Sequence, residues 1–193
     1  SIGQDTDVVS KEMYIFPDDG ICLRPEGTAS TIRACFENRI DSFPWKTFSY
    51  GPMFRKERPQ KGRWRQFSQF NMEIIGTESI AQDVYFIKML DQLFSEKLLL
   101  ENYVVKINFL GCIKDRKEHR QKLVGFLDGV GDKICKTCCE RKEKNVLRIF
   151  DCKNEHCQST YQDAPKLTEC LCLVCQGDWD LLRELLQLLS VSY

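Results

Sequence analysis

The segment of residues 55–67 concentrates side chains that bind anions. It reads Arg-Lys-Glu-Arg-Pro-Gln-Lys-Gly-Arg-Trp-Arg-Gln-Phe and sets six cations against one carboxylate, in a chain whose formal net charge is zero. Arginine offers planar, paired donors that match phosphate oxygens. Trp64 and Phe67 lie among the cations, and this interleaving suits nucleotide phosphates together with a stacked base. The segment therefore predicts a phosphate or nucleic-acid site, with a solvated charged turn as the alternative.

Two sets of polar side chains accompany the basic segment. Glu26 stands within Leu-Arg-Pro-Glu-Gly-Thr (residues 23–28), ahead of a predicted helix. Its carboxylate either complements the positive N-terminus of that helix or holds an ammonium group of a ligand. Further along, polar and apolar side chains alternate, which predicts a strand with one buried apolar face and one polar face toward a cavity or water. The polar residues are Gln69, Asn71 and Glu73, and the apolar ones are Phe70, Met72 and Ile74.

The eleven cysteines are concentrated in one region, with eight of them between Cys135 and Cys175. Thiolates are ligands that zinc favours, so two closely spaced pairs predict a structural zinc site. The alternative is a set of free, partly buried cysteines. The predicted ligands are Cys135, Cys138, Cys152 and Cys157, and Cys170, Cys172 and Cys175 form a competing set. His119 has no visible partner in the sequence, and we expect a surface or capping histidine.

The elements that position these residues are predicted from periodicity and turn signals. Two β-prone runs around Pro-Asp-Asp-Gly (17–20) predict a hairpin, and a helix follows Thr28. A second strand pair, 47–54 and 67–75, brackets the basic segment. Apolar spacing then predicts a helix over 80–98, a strand over 104–109 and helices around 114–127 and 181–189. The pattern indicates an α+β protein with a domain boundary near residue 111, dividing 1–111 from a mostly helical, cysteine-rich 112–193.

Composition excludes several classes of protein. The chain is 42% hydrophobic and 29% charged, which is ordinary for a globular protein with a core. It has no apolar run near the ~18–20 residues of a membrane helix, and its N-terminus lacks the pattern of a secretory signal. We therefore expect a cytoplasmic protein, no membrane partner, and cysteines that are reduced or metal-bound. Because residue 1 is Ser, we expect the chain to begin inside a longer protein.

Two motifs resemble a known family. Phe-Arg-Lys-Glu-Arg (54–58) with Arg-Gln-Phe (65–67) resembles motif 2 of class II aminoacyl-tRNA synthetases. Residues 23–28 and Arg-Pro-Gln-Lys-Gly-Arg (58–63) narrow the resemblance to histidyl-tRNA synthetases. Residues 7–9, 11–14 and 147–153 support it, so the resemblance covers nearly the whole chain. It implies a partial class II antiparallel sheet with flanking helices, followed by a helical insertion domain. We expect an internal fragment from after motif 1 through that domain, inactive alone.

The resemblance also implies a reaction and residue roles. Histidine attacks the α-phosphate of ATP, bound with Mg²⁺, and the histidyl group then moves to tRNA-His; relatives are homodimers. The catalytic residue would be Arg55, on the α-phosphate. The implied histidine-binding residues are Glu26, Gly27, Thr28, Gln69 and Glu73; the ATP-binding residues are Arg55, Glu57 and Arg63; the tRNA-binding residues are Arg58 and Gln60.

Two alternative functions remain open at the level of sequence. One is a non-catalytic synthetase paralogue that acts as a histidine-sensing regulatory subunit, and the other is an RNA-binding module. The paralogues tend to lose the tRNA-facing residues, whereas residues 58–63 are intact here. This argues against the regulatory alternative.

Overall fold

The structure, a computed structural model, describes residues 12–56 and 58–193, without the side chain of Asp132. Predictions that concern residues 7–9, Lys11 and Glu57 lie outside the described residues. The chain divides into two compact units, Ser1–Glu78 and Ser79–Tyr193. Each unit has its own elements, and together they form the predicted mixture of helices and antiparallel strands.

The first unit is built from two hairpins and one helix. Strands β1 (Ile15–Phe16) and β2 (Ile21–Cys22) pair antiparallel around the predicted turn, which is closed by Gly20 at φ +65°. Helix α1 follows at Thr28–Glu37. Strands β3 (Trp45–Phe54) and β4 (Gln66–Ile75) then pair antiparallel along their whole length. The predicted strand pair around the basic segment is therefore confirmed, because β3 ends and β4 begins on either side of it.

One face of the β3–β4 ribbon differs from the prediction. Phe70 was expected to be buried, but 53% of its surface is exposed, as is 71% of Phe48 and 70% of Tyr50. Phe48 and Phe70 stack on each other with ring centroids 5.7 Å apart. When a single layer packs on a two-stranded ribbon, it buries one face of the ribbon and leaves the other face exposed. The apolar side chains of this face are thus left partly exposed within the described residues of the unit.

The second unit is helical and has two separate cores. Its helices are α2 (Ile80–Gln92), α3 (Ile113–Val130), α4 (Lys136–Lys144), α5 (Glu155–Thr160) and α6 (Leu173–Leu188). In one core α2 packs on α6 through Ile80, Val84 and Leu186. The other core joins α3 to the region of α4 and α5, and it is centred on Leu123, Ile149 and several cysteines. Apolar spacing predicted α2, α3 and α6, because each of them buries a single stripe, but it did not predict the short helices α4 and α5.

Two expectations about this unit need correction. Residues 104–109 keep the alternation of a strand, but they pair with no strand among the described residues; Val105, Ile107 and Phe109 pack on the α2–α6 core instead. The domain boundary expected near residue 111 stays a prediction, and the compact units divide after Glu78. His119 is buried, not at the surface, and its Nε2 lies 2.8 Å from the carbonyl oxygen of Pro165. No described helix is long and apolar enough to cross a bilayer.

Candidate functional site

The turn before α1 is held against the end of β3. The backbone N–H of Phe54 donates to the carbonyl oxygen of Arg24 at 2.9 Å, and Arg24 Nε donates to the carbonyl oxygen of Pro52 at 2.8 Å. Gly51 gives the arginine room, since a Cβ there would lie 2.4 Å from Arg24 Nη2. These contacts fix the position of the segment that carries Glu26.

Glu26 complements the N-terminus of α1, as one of the two sequence-based alternatives predicted. Its Oε2 accepts from the backbone N–H of Thr28 at 2.6 Å, and its Oε1 accepts from that of Ala29 at 2.9 Å. Both oxygens satisfy amide groups that would otherwise have no partner at the start of the helix. The carboxylate is therefore held rigidly, although a role toward a ligand stays a prediction. The Thr28 and Gly27 backbone lies in the same turn.

The polar face of β4 lies against this turn. Gly27 approaches Asn71 so closely that a Cβ on it would meet the Asn71 side chain at 3.2 Å. Asn71 Nδ2 in turn donates to Glu73 Oε1 at 2.9 Å and orients that carboxylate. Gln69 Oε1 is buried and has no hydrogen-bond partner among the described residues. A buried acceptor without a partner is costly unless a ligand or water satisfies it, so this face is suited to receive a donor.

Arg55 is placed beside the same turn by two contacts. Its Nε donates to the carbonyl oxygen of Pro25 at 3.0 Å, and its guanidinium lies 5.1 Å from the centre of the Phe67 ring. Among the described residues, Nε is the only guanidinium nitrogen of Arg55 with a hydrogen bond. The terminal nitrogens thus remain available within this part of the chain for a planar, two-pronged contact with an anion.

The rest of the basic segment forms an exposed loop. Gln60 and Arg63 exchange backbone hydrogen bonds across a tight turn whose Gly62 adopts φ +79°. Arg58 is exposed, and so is 69% of Trp64. The structure brings Glu26, Gly27, Thr28, Arg55 and the polar face of β4 together in one unit, while the loop with Arg58, Gln60 and Arg63 extends from the same hairpin.

The four predicted metal ligands converge in the second unit. The Sγ atoms of Cys135, Cys138, Cys152 and Cys157 all lie within 4.8 Å of one another. Hydrogen bonding from the backbone of Cys138 lowers the pKa of Cys135 to about 7, whereas burial raises the pKa of Cys138 to about 12. None of the eleven cysteines forms a disulfide. Four soft donors in one tight group make up a ligand set suited to a single metal ion.

A second cluster was only partly anticipated by the sequence. Cys172 and Cys175 belonged to the competing set, but they gather with Cys112 and Asp115, which no spacing connected to them. Asp115 is buried and caps two helices, because its two oxygens accept from the backbone N–H groups of Cys112 and Cys172, each at 3.0 Å. A hydrogen bond from Cys175, together with those two, lowers the pKa of the Asp115 carboxyl. The available signal was a carboxylate three positions after the residue that precedes the helix, here Asp115 after Cys112.

A largely apolar cavity in the second unit is formed by residues other than those predicted from the motifs. It has a volume of about 650 Å³ and is formed by α2 and residues 103–111, with Asp91 and Tyr103 at one end. Tyr103 donates to Asp91 Oδ1 at 2.6 Å, and this hydrogen bond lowers the pKa of Asp91 and raises that of Tyr103. No residue predicted from the motifs lines it.

Comparison with known proteins finds a matching family and several similar sequences. Residues 14–175 match the family described as the tRNA synthetase class II core domain (G, H, P, S and T). Over 198 aligned positions that include the whole chain, it is 42% identical to a histidine–tRNA ligase of Sulfurimonas denitrificans. It is 43% identical over the same length to those of Campylobacter jejuni and Clostridioides difficile. The chain covers 47–49% of these proteins, and so spans about half the length of the curated relatives it matches.

These relatives confirm the resemblance seen in the motifs. Two segments contain the motifs that resemble the family: the turn with Glu26 and the loop that begins at Arg55. Both lie inside the matched range, and they contact each other in the structure. The chain belongs to the family of class II tRNA synthetase core domains.

Proposed function

We propose that this chain is part of a histidine–tRNA ligase that activates histidine with ATP and transfers it to tRNA-His. A histidine carboxylate oxygen forms a bond to the α-phosphorus of ATP. The bond from that phosphorus to the bridging oxygen breaks, and pyrophosphate leaves with the electron pair. A 3′-terminal hydroxyl of the tRNA then forms an ester bond to the histidyl carbonyl carbon, the bond from that carbon to the phosphate oxygen breaks, and AMP leaves with the electron pair while the hydroxyl proton is released. ATP enters as its Mg²⁺ complex, and we further propose a cytoplasmic homodimer.

The observation that carries the proposal is the placement of Arg55 beside the Glu26 turn. Its Nε bond to the Pro25 carbonyl and its packing over Phe67 fix the guanidinium in one orientation. A fixed cation stabilises the charge that develops on the α-phosphate without having to reorganise during the reaction. In this proposal Arg63 and Glu57 help to place ATP, and Arg58 and Gln60 face the acceptor end of the tRNA.

The polar groups around Gly27 suit the amino acid. The oxygens of Glu26 and the buried, unpartnered Oε1 of Gln69 would accept from the α-ammonium group, together with Thr28. Glu73, oriented by Asn71, would accept from the imidazole. A site that must satisfy both polar ends of histidine rejects analogues that lack one of them, because its own buried groups would then be left unpaired.

A chimera tests the proposal, since the chain spans about half of its relatives. This chain replaces the matching segment of the Campylobacter jejuni protein, and histidine-dependent ATP–pyrophosphate exchange is measured. Arg55→Ala should lower the exchange rate on the order of 10²–10³-fold, the usual effect of removing a donor aimed at developing charge. Arg33→Ala is the matched control, because the Arg33 side chain is 69% exposed and pairs with Glu37 on the surface of α1.

The outcome separates this function from the two alternatives. Loss of tenfold or less in Arg55→Ala, with ATP affinity unchanged, would contradict the assigned role. A chimera that binds histidine without exchange would favour the regulatory subunit. Binding of RNA that weakens steeply with salt and does not respond to histidine would favour an RNA-binding module.

A further inference from the structure

We propose that Cys135, Cys138, Cys152 and Cys157 hold a single structural zinc ion in the core of the second unit. This site is independent of the proposed reaction and lies in the other compact unit. Three of its cysteines belong to the core that also contains Leu123 and Ile149. The four sulfurs lie within 4.8 Å of one another.

The spacing of the sulfurs fits a mononuclear tetrahedral site. Zn–S bonds of about 2.3 Å in a tetrahedron separate neighbouring sulfurs by about 3.8 Å. The distance between Cys135 Sγ and Cys152 Sγ is 3.9 Å. A disulfide would require about 2.05 Å, so this pair is not placed as a disulfide. Three of the four residues are buried, which agrees with a closed structural site with no position open to substrate.

Backbone amides already donate to two of the sulfurs. The N–H of Cys135 donates to Cys157 Sγ at 3.2 Å, and the N–H of Asn154 donates to Cys152 Sγ at 3.4 Å. Amide donors favour the anionic thiolate, which is the form that binds zinc. The loop and the helix start that carry the cysteines are therefore arranged to support negative charge on sulfur.

A buried tyrosine supplies an independent indication of a ligand. Tyr161 is 7% exposed, and its hydroxyl makes no hydrogen bond of normal geometry among the described residues. Cys138 and Cys157 are its neighbours. A thiol is a poor acceptor, but a metal-bound thiolate accepts well from a hydroxyl. Zinc would thus give the Tyr161 hydroxyl a partner, as outer groups around metal sites commonly have.

The second cluster is a weaker candidate for the same ion. Both oxygens of Asp115 are engaged by backbone N–H groups, so this carboxylate is occupied in capping α3 and α6. We therefore expect one zinc ion per chain. Metal analysis of the chain purified without added metal measures this stoichiometry directly, and a zinc content near zero would overturn the proposal.

Matched cysteine variants locate the ion. Cys157→Ser should abolish stoichiometric zinc, whereas Cys139→Ser should retain it, because Cys139 is exposed and outside the cluster although adjacent to Cys138. Cys175→Ser should also retain zinc. Loss of zinc from Cys175→Ser with retention in Cys157→Ser would overturn the assignment and place the ion at the second cluster.

Two measurements keep the proposal testable if Cys157→Ser does not fold. With the unchanged chain unfolded in denaturant, so that burial no longer protects any thiol, a zinc chelator should raise the number of rapidly reactive thiols by four, matching the four cysteines of the cluster. Cobalt added to the metal-free chain should give the absorption of a tetrahedral tetrathiolate site at one equivalent. An unchanged thiol count, or cobalt absorption without thiolate charge transfer, would overturn it.

Tyr161→Phe tests the hydroxyl alone, since it preserves the ring. Removing an outer hydrogen-bonding partner typically weakens metal affinity by about 10–100-fold. Competition with a chromogenic chelator should show a loss in this range while circular dichroism remains unchanged. Equal zinc affinities of Tyr161→Phe and the unchanged chain would refute the hydroxyl's part in the site.

Discussion

Glu26 is expected to serve two purposes that substitution can separate. Its carboxylate caps α1 through the N–H groups of Thr28 and Ala29, at 2.6 and 2.9 Å. In the proposed function the same oxygens also hold the ammonium group of histidine. Glu26→Ala removes both roles, whereas Glu26→Gln keeps one oxygen that accepts from the helix and removes the charge together with the second acceptor.

The two roles of Glu26 contribute different free energies, one to stability and one to histidine binding. Loss of an N-terminal cap costs about 0.5–2 kcal/mol of stability, so Glu26→Ala should lower the free energy of unfolding by about 1 kcal/mol and Glu26→Gln by less. A hydrogen bond to a charged group contributes about 1.5–3 kcal/mol, which corresponds to roughly 10- to 150-fold in affinity. Both variants should therefore raise the KM for histidine by at least about tenfold.

The assays are urea unfolding of the chain and histidine-dependent pyrophosphate exchange in the chimera. Glu37→Gln serves as the control, because its carboxylate lies in an exposed surface pair and should change neither quantity. If Glu26→Gln left the KM for histidine within twofold of the parent, the carboxylate would act only as a helix cap, and our account of the histidine site would be wrong.

The packing of both units gives two further expectations. Leu123→Ala should lower the free energy of unfolding by about 2–5 kcal/mol in urea titrations, because Leu123 is 0% exposed. Leu173 is 93% exposed, so Leu173→Ala should change the free energy of unfolding by no more than about 0.5 kcal/mol. Equal effects of the two substitutions would contradict the assigned core. Gly76→Ala should destabilise the first unit by at least about 1 kcal/mol, because Gly76 has φ +81° and a Cβ there would lie 2.4 Å from Phe43. Gly125 lies inside α3 with open space around it, so Gly125→Ala should stabilise the chain by about 0.5–1 kcal/mol. A melting temperature that rises for both variants would refute this reasoning.

Local sequence patterns predicted much of the architecture. Turn signals predict the hairpin around Gly20, and the spacing of apolar residues predicts the β3–β4 pair and the amphipathic helices. The apolar run over 104–109 predicted a strand, and its residues do alternate in burial, but a strand needs a partner, and pairing is a property of distant residues. The expectation that Phe70 is buried failed for a similar reason, since alternation identifies an apolar face without saying what covers it.

The candidate site was predictable where a motif names its residues. Arg55 and Glu26 were named this way, and the structure places them beside one turn, while their roles stay predictions. The four cysteines that converge were predicted from their spacing. The capping of α1 was one of two open alternatives, because spacing alone cannot tell whether a carboxylate faces its own helix or a ligand. The burial of His119 against Pro165 and the link between Asp115 and Cys172 join residues far apart in sequence, and no local pattern encodes such contacts.

The free cysteines, some exposed and some buried, can report on local opening in different regions of the chain. Cys22 and Cys139 are exposed, Cys35 is a buried residue of α1, and Cys175 is buried near the start of α6. A buried thiol reacts with a labelling reagent only when its surroundings open, so its rate measures the free energy of that opening. Mass spectrometry of labelled peptides would therefore rank the opening of each region in one experiment. The exposed pair would calibrate the intrinsic rate, without any engineered probe.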